Sequence, residues 1–275
     1  MIVDAQVHIW AANRKDRPWP DRHKAHRDPP IEAEELLNTM QHSGVDRAIL
    51  VPPSWEGERN DVCLAAAQKY PDRFAVMGRF DPTLPASREL IKDWKEQPGM
   101  LGLRFTFHRP FLQPLLTEGI VDWLWPQAEK AQVPIMIYLP QALMPLIDRI
   151  AERHPGLNLI MDHLGMTQGK GAEAFAGLQH LLDLAKRPNI AIKLSSIPMV
   201  MDEPWPYPSA IPYLKRVYEA FGPKRMFWAT DWSRLPCSYH QSLTQYSEQS
   251  PWLSPSDKDW ILGRGICQWL DWPIQ

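Results

Sequence analysis

Short apolar runs in this chain end repeatedly in side chains suited to proton transfer or anion binding. His8 closes Ile2-Val3-Asp4-Ala5-Gln6-Val7; Arg104 and then His108-Arg109 close Leu101–Phe107. Tyr138, Asp162-His163, Lys193 with Ser195-Ser196, and Thr230-Asp231-Trp232 close four others. A positioned carboxylate such as Asp231 can take a proton from water, and imidazoles such as His8 and His163 can donate, accept or bind a metal. Arg104 and Arg109 have the planar fork that grips a carboxylate through two parallel hydrogen bonds. Each group also has a plainer use. Asp231 can cap a turn, and His163 can close a strand against a carbonyl. Arg104 can pair with an aspartate inside the fold, Lys193 can balance Asp162 or Asp231, and Tyr138 can bury its ring and expose its hydroxyl.

These groups act together only if the fold brings run ends to one place. Strand-like runs fall at Ile2–His8, Arg47–Val51, Phe74–Phe80, Leu101–Phe107, Pro134–Leu139, Leu157–Met161, Ile190–Leu194 and Met226–Ala229. Helix-like spacing lies between and after them, at Ala33–His42, Asp61–Tyr70, Pro85–Lys95, Val121–Ala131, Ala142–His154, Ala172–Ala185, Pro212–Phe221 and Pro255–Leu270. Regular alternation of this kind predicts parallel strands joined by helical crossovers, closing into a (β/α)8 barrel with its chemistry at the strand C-termini. An open doubly wound sheet is the competitor, weakened because no GxGxxG or phosphate-binding loop follows an early strand. Alternation along the first strand predicts Asp4, Gln6 and His8 on one face, and along the fourth Arg104, Thr106 and His108. The stretch 11–30, which includes His23 and His26, reads as a long loop over the C-terminal face.

Composition narrows the partners. The 275 residues fit one barrel domain, and 30 Lys+Arg against 32 Asp+Glu offer no general attraction to nucleic acid or membrane. No apolar run is long enough to span a bilayer, and the N-terminus lacks signal-peptide character. With three widely spaced cysteines and no CxxC, reduced thiols in a cytoplasmic protein are expected. A small-molecule substrate is the expected partner; oligomeric state is not encoded legibly. Trp10, Trp19, Trp55, Trp205 and Trp232 fall in or beside loops, and of these Trp10 and Trp232 are the expected aromatic walls of a pocket. The absence of GxSxG argues against a serine hydrolase.

The pieces Val3-Asp4-Ala5-Gln6-Val7-His8-Ile9-Trp10, Gly102-Leu103-Arg104-Phe105, Met161-Asp162-His163-Leu164-Gly165, Lys193-Leu194-Ser195, Ala229-Thr230-Asp231-Trp232 and Trp260-Ile261-Leu262-Gly263-Arg264-Gly265 occur in order along nearly the whole chain. Together they resemble the amidohydrolase superfamily, in particular amidohydrolase-2 proteins near the 2-pyrone-4,6-dicarboxylate lactonase and sugar lactonase branch. The resemblance implies a distorted (β/α)8 barrel and a hydrolase that opens a carboxylate-bearing lactone. It places Asp231 as the strand-eight aspartate, His163 as the strand-six histidine and His8 as half of a strand-one histidine pair. Gln6 stands where the other half belongs, and the fifth strand, Ile135-Met136-Ile137-Tyr138, lacks the histidine of metal-dependent relatives.

The expectation is therefore catalysis without a metal. Asp231 would activate water, His8, His163 and Gln6 would stabilise the oxyanion, and Arg104, Arg109, His108, Tyr138, Lys193, Trp10 and Trp232 would bind substrate. One alternative is a Zn- or Mn-dependent hydrolase or non-oxidative decarboxylase using His8, His163 and Asp231 as ligands. The other is an inactive barrel that only binds a ligand.

Overall fold

The computed structural model describes residues 1–20, 24–166 and 168–273, so His23 of the long loop lies outside the described residues. Eight parallel strands follow one another around a sheet: β1 (Val3–Val7), β2 (Arg47–Leu50), β3 (Phe74–Gly78), β4 (Met100–Thr106), β5 (Ile135–Tyr138), β6 (Leu159–Met161), β7 (Ile190–Lys193) and β8 (Met226–Phe227). Helices such as Ala33–Ser43, Asp61–Lys69, Met144–Arg153 and Ile211–Phe221 supply the crossovers that parallel neighbours require. Backbone bonds from Ala5 N–H to Trp228 O (3.1 Å) and from Asp231 N–H to Gln6 O (3.0 Å) bring the last strand against the first. The fold is the (β/α)8 barrel that the alternation predicts, distorted as the resemblance implies.

The distortion sits at this seam. Trp228 N–H donates to Ile261 O (2.9 Å), in a π-helical turn over Trp260–Arg264, so that turn stands beside the short β8. Gly263 permits the approach, since a Cβ there would lie 2.5 Å from the Met1 carbonyl oxygen. The helix predicted over Pro255–Leu270 is accordingly divided into Pro255–Asp259, the π turn and Gly265–Trp269.

Two apolar layers hold the barrel. Val3, Ala5, Ile49, Ala75, Met136, Ile160, Ala191 and Phe227 fill its interior against Ile266, Cys267, Leu270 and Trp272 of the C-terminal segment. The intervening strand residues, among them Val7, Leu50, Val76, Leu103 and Ile137, pack outward against the helices. This two-sided burial is why the strands read as nearly continuous apolar runs.

The first strand departs from simple alternation. Its pairing with β2 shifts register between Asp4 and Val7, an irregularity that reverses which residues face inward. Val3 and Ala5 therefore belong to the interior layer, whereas Asp4 turns away from Gln6 and His8. The fully buried Asp4 carboxylate accepts from Gln6 N–H (3.0 Å), Thr230 N–H (2.9 Å), Thr230 Oγ1 (2.5 Å) and Tyr239 Oη (2.8 Å). Burial pushes its carboxyl up to about 6 against the pull of those bonds. Tyr239 opens the helix Tyr239–Ser247, an element that hydrophobic spacing does not reveal. Its marker is the capping box of Ser238 and Gln241.

Cys63, Cys237 and Cys267 are unpaired thiols, and among the described residues no helix is long and apolar enough to cross a membrane. Asp4→Ala would strand the Thr230 and Tyr239 donors in a dry seam, for a loss of about 3 kcal/mol. Urea unfolding of the variant should show that loss; an unchanged midpoint would mean that Asp4 does not tie β1 to β8.

Candidate active site

The C-terminal strand ends converge on a cavity of about 220 Å³ lined by His8, Lys24, His26, Ser54, Trp55, Arg104, Thr106, His108, Arg109, Tyr138, His163, Asp231 and Arg234. A larger hollow of about 620 Å³, lined by Met201, Trp205, Tyr207 and others, shares Arg234 with it. None of His8, His163 or Asp231 lines the larger hollow, so the smaller one is the candidate site.

Asp231 is buried at the cavity, with φ of 50° in the left-handed region. Such a conformation costs a non-glycine residue about 1 kcal/mol or more, and here the bond from its N–H to Gln6 O holds it. His8 Nε2 lies 2.9 Å from Asp231 Oδ1 in close ion-pair contact, yet Oδ1 has no aligned hydrogen-bond donor. The other His8 nitrogen, Nδ1, lies 2.6 Å from Val51 O, which can only accept, so Nδ1 carries a proton. Two bare lone pairs would repel at 2.9 Å, so His8 Nε2 and Asp231 share one further proton. Burial acts to raise the Asp231 carboxyl, but the His8 contact and the charges of His8 and Arg234 outweigh it. The group is held well below the usual carboxylate range.

A second carboxylate lies beneath. Asp162 Oδ1 is 2.8 Å from Lys193 Nζ, and Arg104 Nε donates to Asp162 Oδ2 at 3.2 Å. Burial raises this carboxyl also, and Lys193 and Arg104 more than offset it. Lys193 is fully buried, and its ammonium also donates to Gln6 Oε1 (2.8 Å) and contacts Met136 Sδ (2.7 Å). With its Oε1 so engaged, Gln6 turns its amide nitrogen toward His163 Nε2, 3.3 Å away. His163 Nδ1 meets Ser195 Oγ at 2.7 Å, and burial pushes this imidazole down to about 4, leaving it neutral at neutral pH.

The predicted residues divide accordingly. His8, His163, Asp231, Arg104, His108, Arg109 and Tyr138 meet around the cavity as the strand ends imply. Thr106 Oγ1 lies 2.5 Å from His108 Nδ1, and the His108 ring stacks on Tyr138 at 4.7 Å. Burial and the nearby Arg104 and Arg109 push His108 down to about 3.

Gln6 and Lys193 lie below the cavity rather than on its wall, because Asp162 claims the lysine and the lysine claims the amide. Trp10 is likewise displaced: it is buried behind Trp55, with ring centroids 5.1 Å apart, and Trp55 is the tryptophan on the wall. Trp232 packs on Tyr239 at 5.7 Å and beneath the Arg27 guanidinium, outside the cavity. Strand-end reasoning missed Lys24, His26, Trp55 and Arg234, all supplied by loops. Arg234 follows Asp231 by three residues, which was the available clue; Nη1 lies 4.0 Å from Asp231 Oδ2.

Described residues of the long loop reach the mouth. Ala11 N–H and Arg17 Nε both donate to Glu56 Oε1 (3.2 and 2.9 Å), and Arg17 forms a two-pronged pair with Asp61 (2.7 and 2.8 Å). His26 meets Ser233 Oγ at 2.8 Å and packs on Trp55 with ring centroids 4.5 Å apart. The loop thus joins the segments following β2 and β8.

A divalent cation fits this donor set poorly. His163 Nε2 already faces an amide donor, and the Gln6 oxygen faces an ammonium. Zinc is held by thiolates, imidazoles and carboxylates, usually three from the protein at a catalytic site. Among the described residues no group of three or more His, Cys, Asp or Glu is placed to hold a metal ion.

A parallel barrel with imidazoles and a strand-eight aspartate at its C-terminal mouth defines the class. The Amidohydro_2 family model, described as amidohydrolase, matches residues 3–264, and the chain belongs to that family. It is 26% identical to an L-fucono-1,5-lactonase of Burkholderia ambifaria over 96% of this chain and 93% of the relative. It is 25% identical to a 4-sulfomuconolactone hydrolase of Hydrogenophaga intermedia over 83% of this chain and 73% of the relative. Its fold matches an amidohydrolase of Burkholderia multivorans, solved with bound zinc, at a TM-score of 0.83 and 18% identity, covering 99% of this chain and all of that one.

Arg17→Ala should release the start of the loop while leaving the barrel intact. Limited proteolysis within residues 11–20 should become severalfold faster with little change in the thermal midpoint. Unchanged cleavage would mean that other contacts anchor the loop.

Proposed function

We propose that the protein hydrolyses a lactone carrying an anionic substituent, using water activated by Asp231 and no metal ion. The observation that carries this reading is the Asp231 carboxylate itself, buried at the cavity with His8 against Oδ1, beside Lys24, Arg104, Arg109 and Arg234. Of these cations Arg104 pairs with the buried Asp162 and Arg234 stands 4.0 Å from Asp231 Oδ2, while among the described residues no carboxylate pairs with Lys24 or Arg109. The wall therefore has positive charge to offer a ligand, while the base remains ionised.

In this mechanism a water molecule donates to Asp231 as its oxygen bonds to the ring carbonyl carbon. The proton joins the one already shared by Asp231 and His8, so the two act as a unit. Arg234 and the His8 end of that pair stand nearest to receive the developing oxyanion charge. Collapse of the tetrahedral adduct breaks the bond to the ring oxygen, and the proton returns to that oxygen to give a hydroxy acid. Arg109 and Lys24 hold the anionic substituent. His163 and Gln6 set the shape of the floor rather than donate to the oxyanion, since both ring nitrogens of His163 are already engaged. The two curated relatives support the reaction class, both being named as lactone-opening enzymes, one of them acting on a lactone that bears a sulfonate.

Asp231→Asn keeps the shape but removes the base, and should lower kcat by roughly a thousandfold or more on whichever carboxylated lactone proves to be turned over. Retained turnover would refute the assignment. Arg109→Met should raise KM roughly 10- to 100-fold for an anionic lactone, in keeping with the worth of a charged hydrogen bond, and leave a neutral one unaffected. Equal losses on both would place Arg109 elsewhere.

The depressed Asp231 carboxyl also fixes a pH expectation. Its ionised form persists as pH falls through the ordinary carboxylate value of 3.8. The kcat/KM profile should thus show no loss from protonation of Asp231 until below about pH 4. A single acid limb near neutrality that disappears in Asp231→Asn's residual activity would contradict this.

A further inference from the structure

We propose that Lys193 is a positioning residue that acts through Gln6 to fix the tautomer of His163 and to close its Nε2 to a cation. The inference comes from counting donors and acceptors in a buried chain of side chains that ends at the cavity. Lys193 Nζ has only donors to give, and it meets Asp162 Oδ1 (2.8 Å), Gln6 Oε1 (2.8 Å) and Met136 Sδ (2.7 Å). An ammonium cannot accept, so the Gln6 oxygen must face Lys193 and the amide nitrogen must face away. That nitrogen lies 3.3 Å from His163 Nε2 and can only donate, whereas Asp231 Oδ2 stands 3.9 Å from Nε2, beyond hydrogen-bond reach, which makes Nε2 the bare nitrogen and Nδ1 the protonated one. Ser195 Oγ, 2.7 Å from Nδ1, can accept the resulting bond.

Lys193, Gln6, His163 and Ser195 are all buried, and of them only His163 lines the cavity, so water does not substitute freely for Lys193, Gln6 or Ser195. Reversing the amide would set its nitrogen against the ammonium and its oxygen against a lone pair, two repulsive contacts in a low-dielectric interior. The arrangement also explains why the lysine is in the barrel at all: it neutralises Asp162 on one side and aligns an amide on the other. A glutamine that lacked this lysine could turn its oxygen toward the mouth. Beside Lys193 it cannot.

The test reads the tautomer directly and needs no substrate, so it stands or falls separately from the lactonase proposal. Histidine-selective 15N labelling with long-range proton–nitrogen correlation distinguishes the two ring nitrogens, and loss of one set of signals in His163→Asn assigns the residue. The wild-type protein should show His163 protonated at Nδ1 and bare at Nε2, with signals unmoved by one equivalent of Zn²⁺. In Gln6→Glu the new carboxylate only accepts, so His163 should move its proton to Nε2. Lys193→Met should lose the single tautomer and show both forms.

An Nε2-protonated wild type would overturn the proposal, as would stoichiometric Zn²⁺ shifts at His163 or a Gln6→Glu spectrum identical to wild type. Should Lys193→Met fail to fold, the wild-type and Gln6→Glu spectra still decide. A merely structural role for Lys193 would change stability and leave the tautomer in place.

Discussion

Two carboxylates are buried at the top of this barrel, and the rest of the site is arranged by the need to neutralise them. An uncompensated charge removed from water costs several kcal/mol even after relaxation. Asp162 is met by Lys193 and Arg104, and Asp231 by His8 and the proton they share. The consequences differ. Asp162 is enclosed by its partners below the cavity, whereas Asp231 lines it. One carboxylate is thereby structural and the other available for chemistry, a division made by surroundings rather than by residue type.

That constraint also gives meaning to Gln6. The zinc-bearing amidohydrolase from Burkholderia multivorans has the same barrel, and at 18% identity the likeness extends to the fold alone. In the present chain an amide and an ammonium stand together under the mouth, and the first position of the strand-one pair becomes part of a hydrogen-bonded chain. The family fold is retained, with an amide and an ammonium, Gln6 and Lys193, joined beneath its mouth.

The barrel was legible in the sequence because its strands are buried on both faces and their polar termini interrupt the apolar pattern abruptly. His8, Arg104, Tyr138, His163 and Asp231 could be gathered from that pattern without coordinates. The turning of Asp4 away from Gln6 and His8 could not, since a register shift in β1 is invisible to strict alternation. Lys193 ends its strand as a substrate ligand would, and only the third dimension shows Asp162 enclosing it. Trp55 and Arg234 come from loops whose direction is set by tertiary contacts, and the helix Tyr239–Ser247 is announced by its cap more than by any apolar stripe.

The most direct measurement takes one sample of the purified protein, made without chelator, and records both its metal content by elemental mass spectrometry and its turnover of carboxylated lactones. The account predicts turnover with zinc, manganese and iron far below one per chain, undiminished after chelation. Activity that rises and falls with a stoichiometric metal would contradict it.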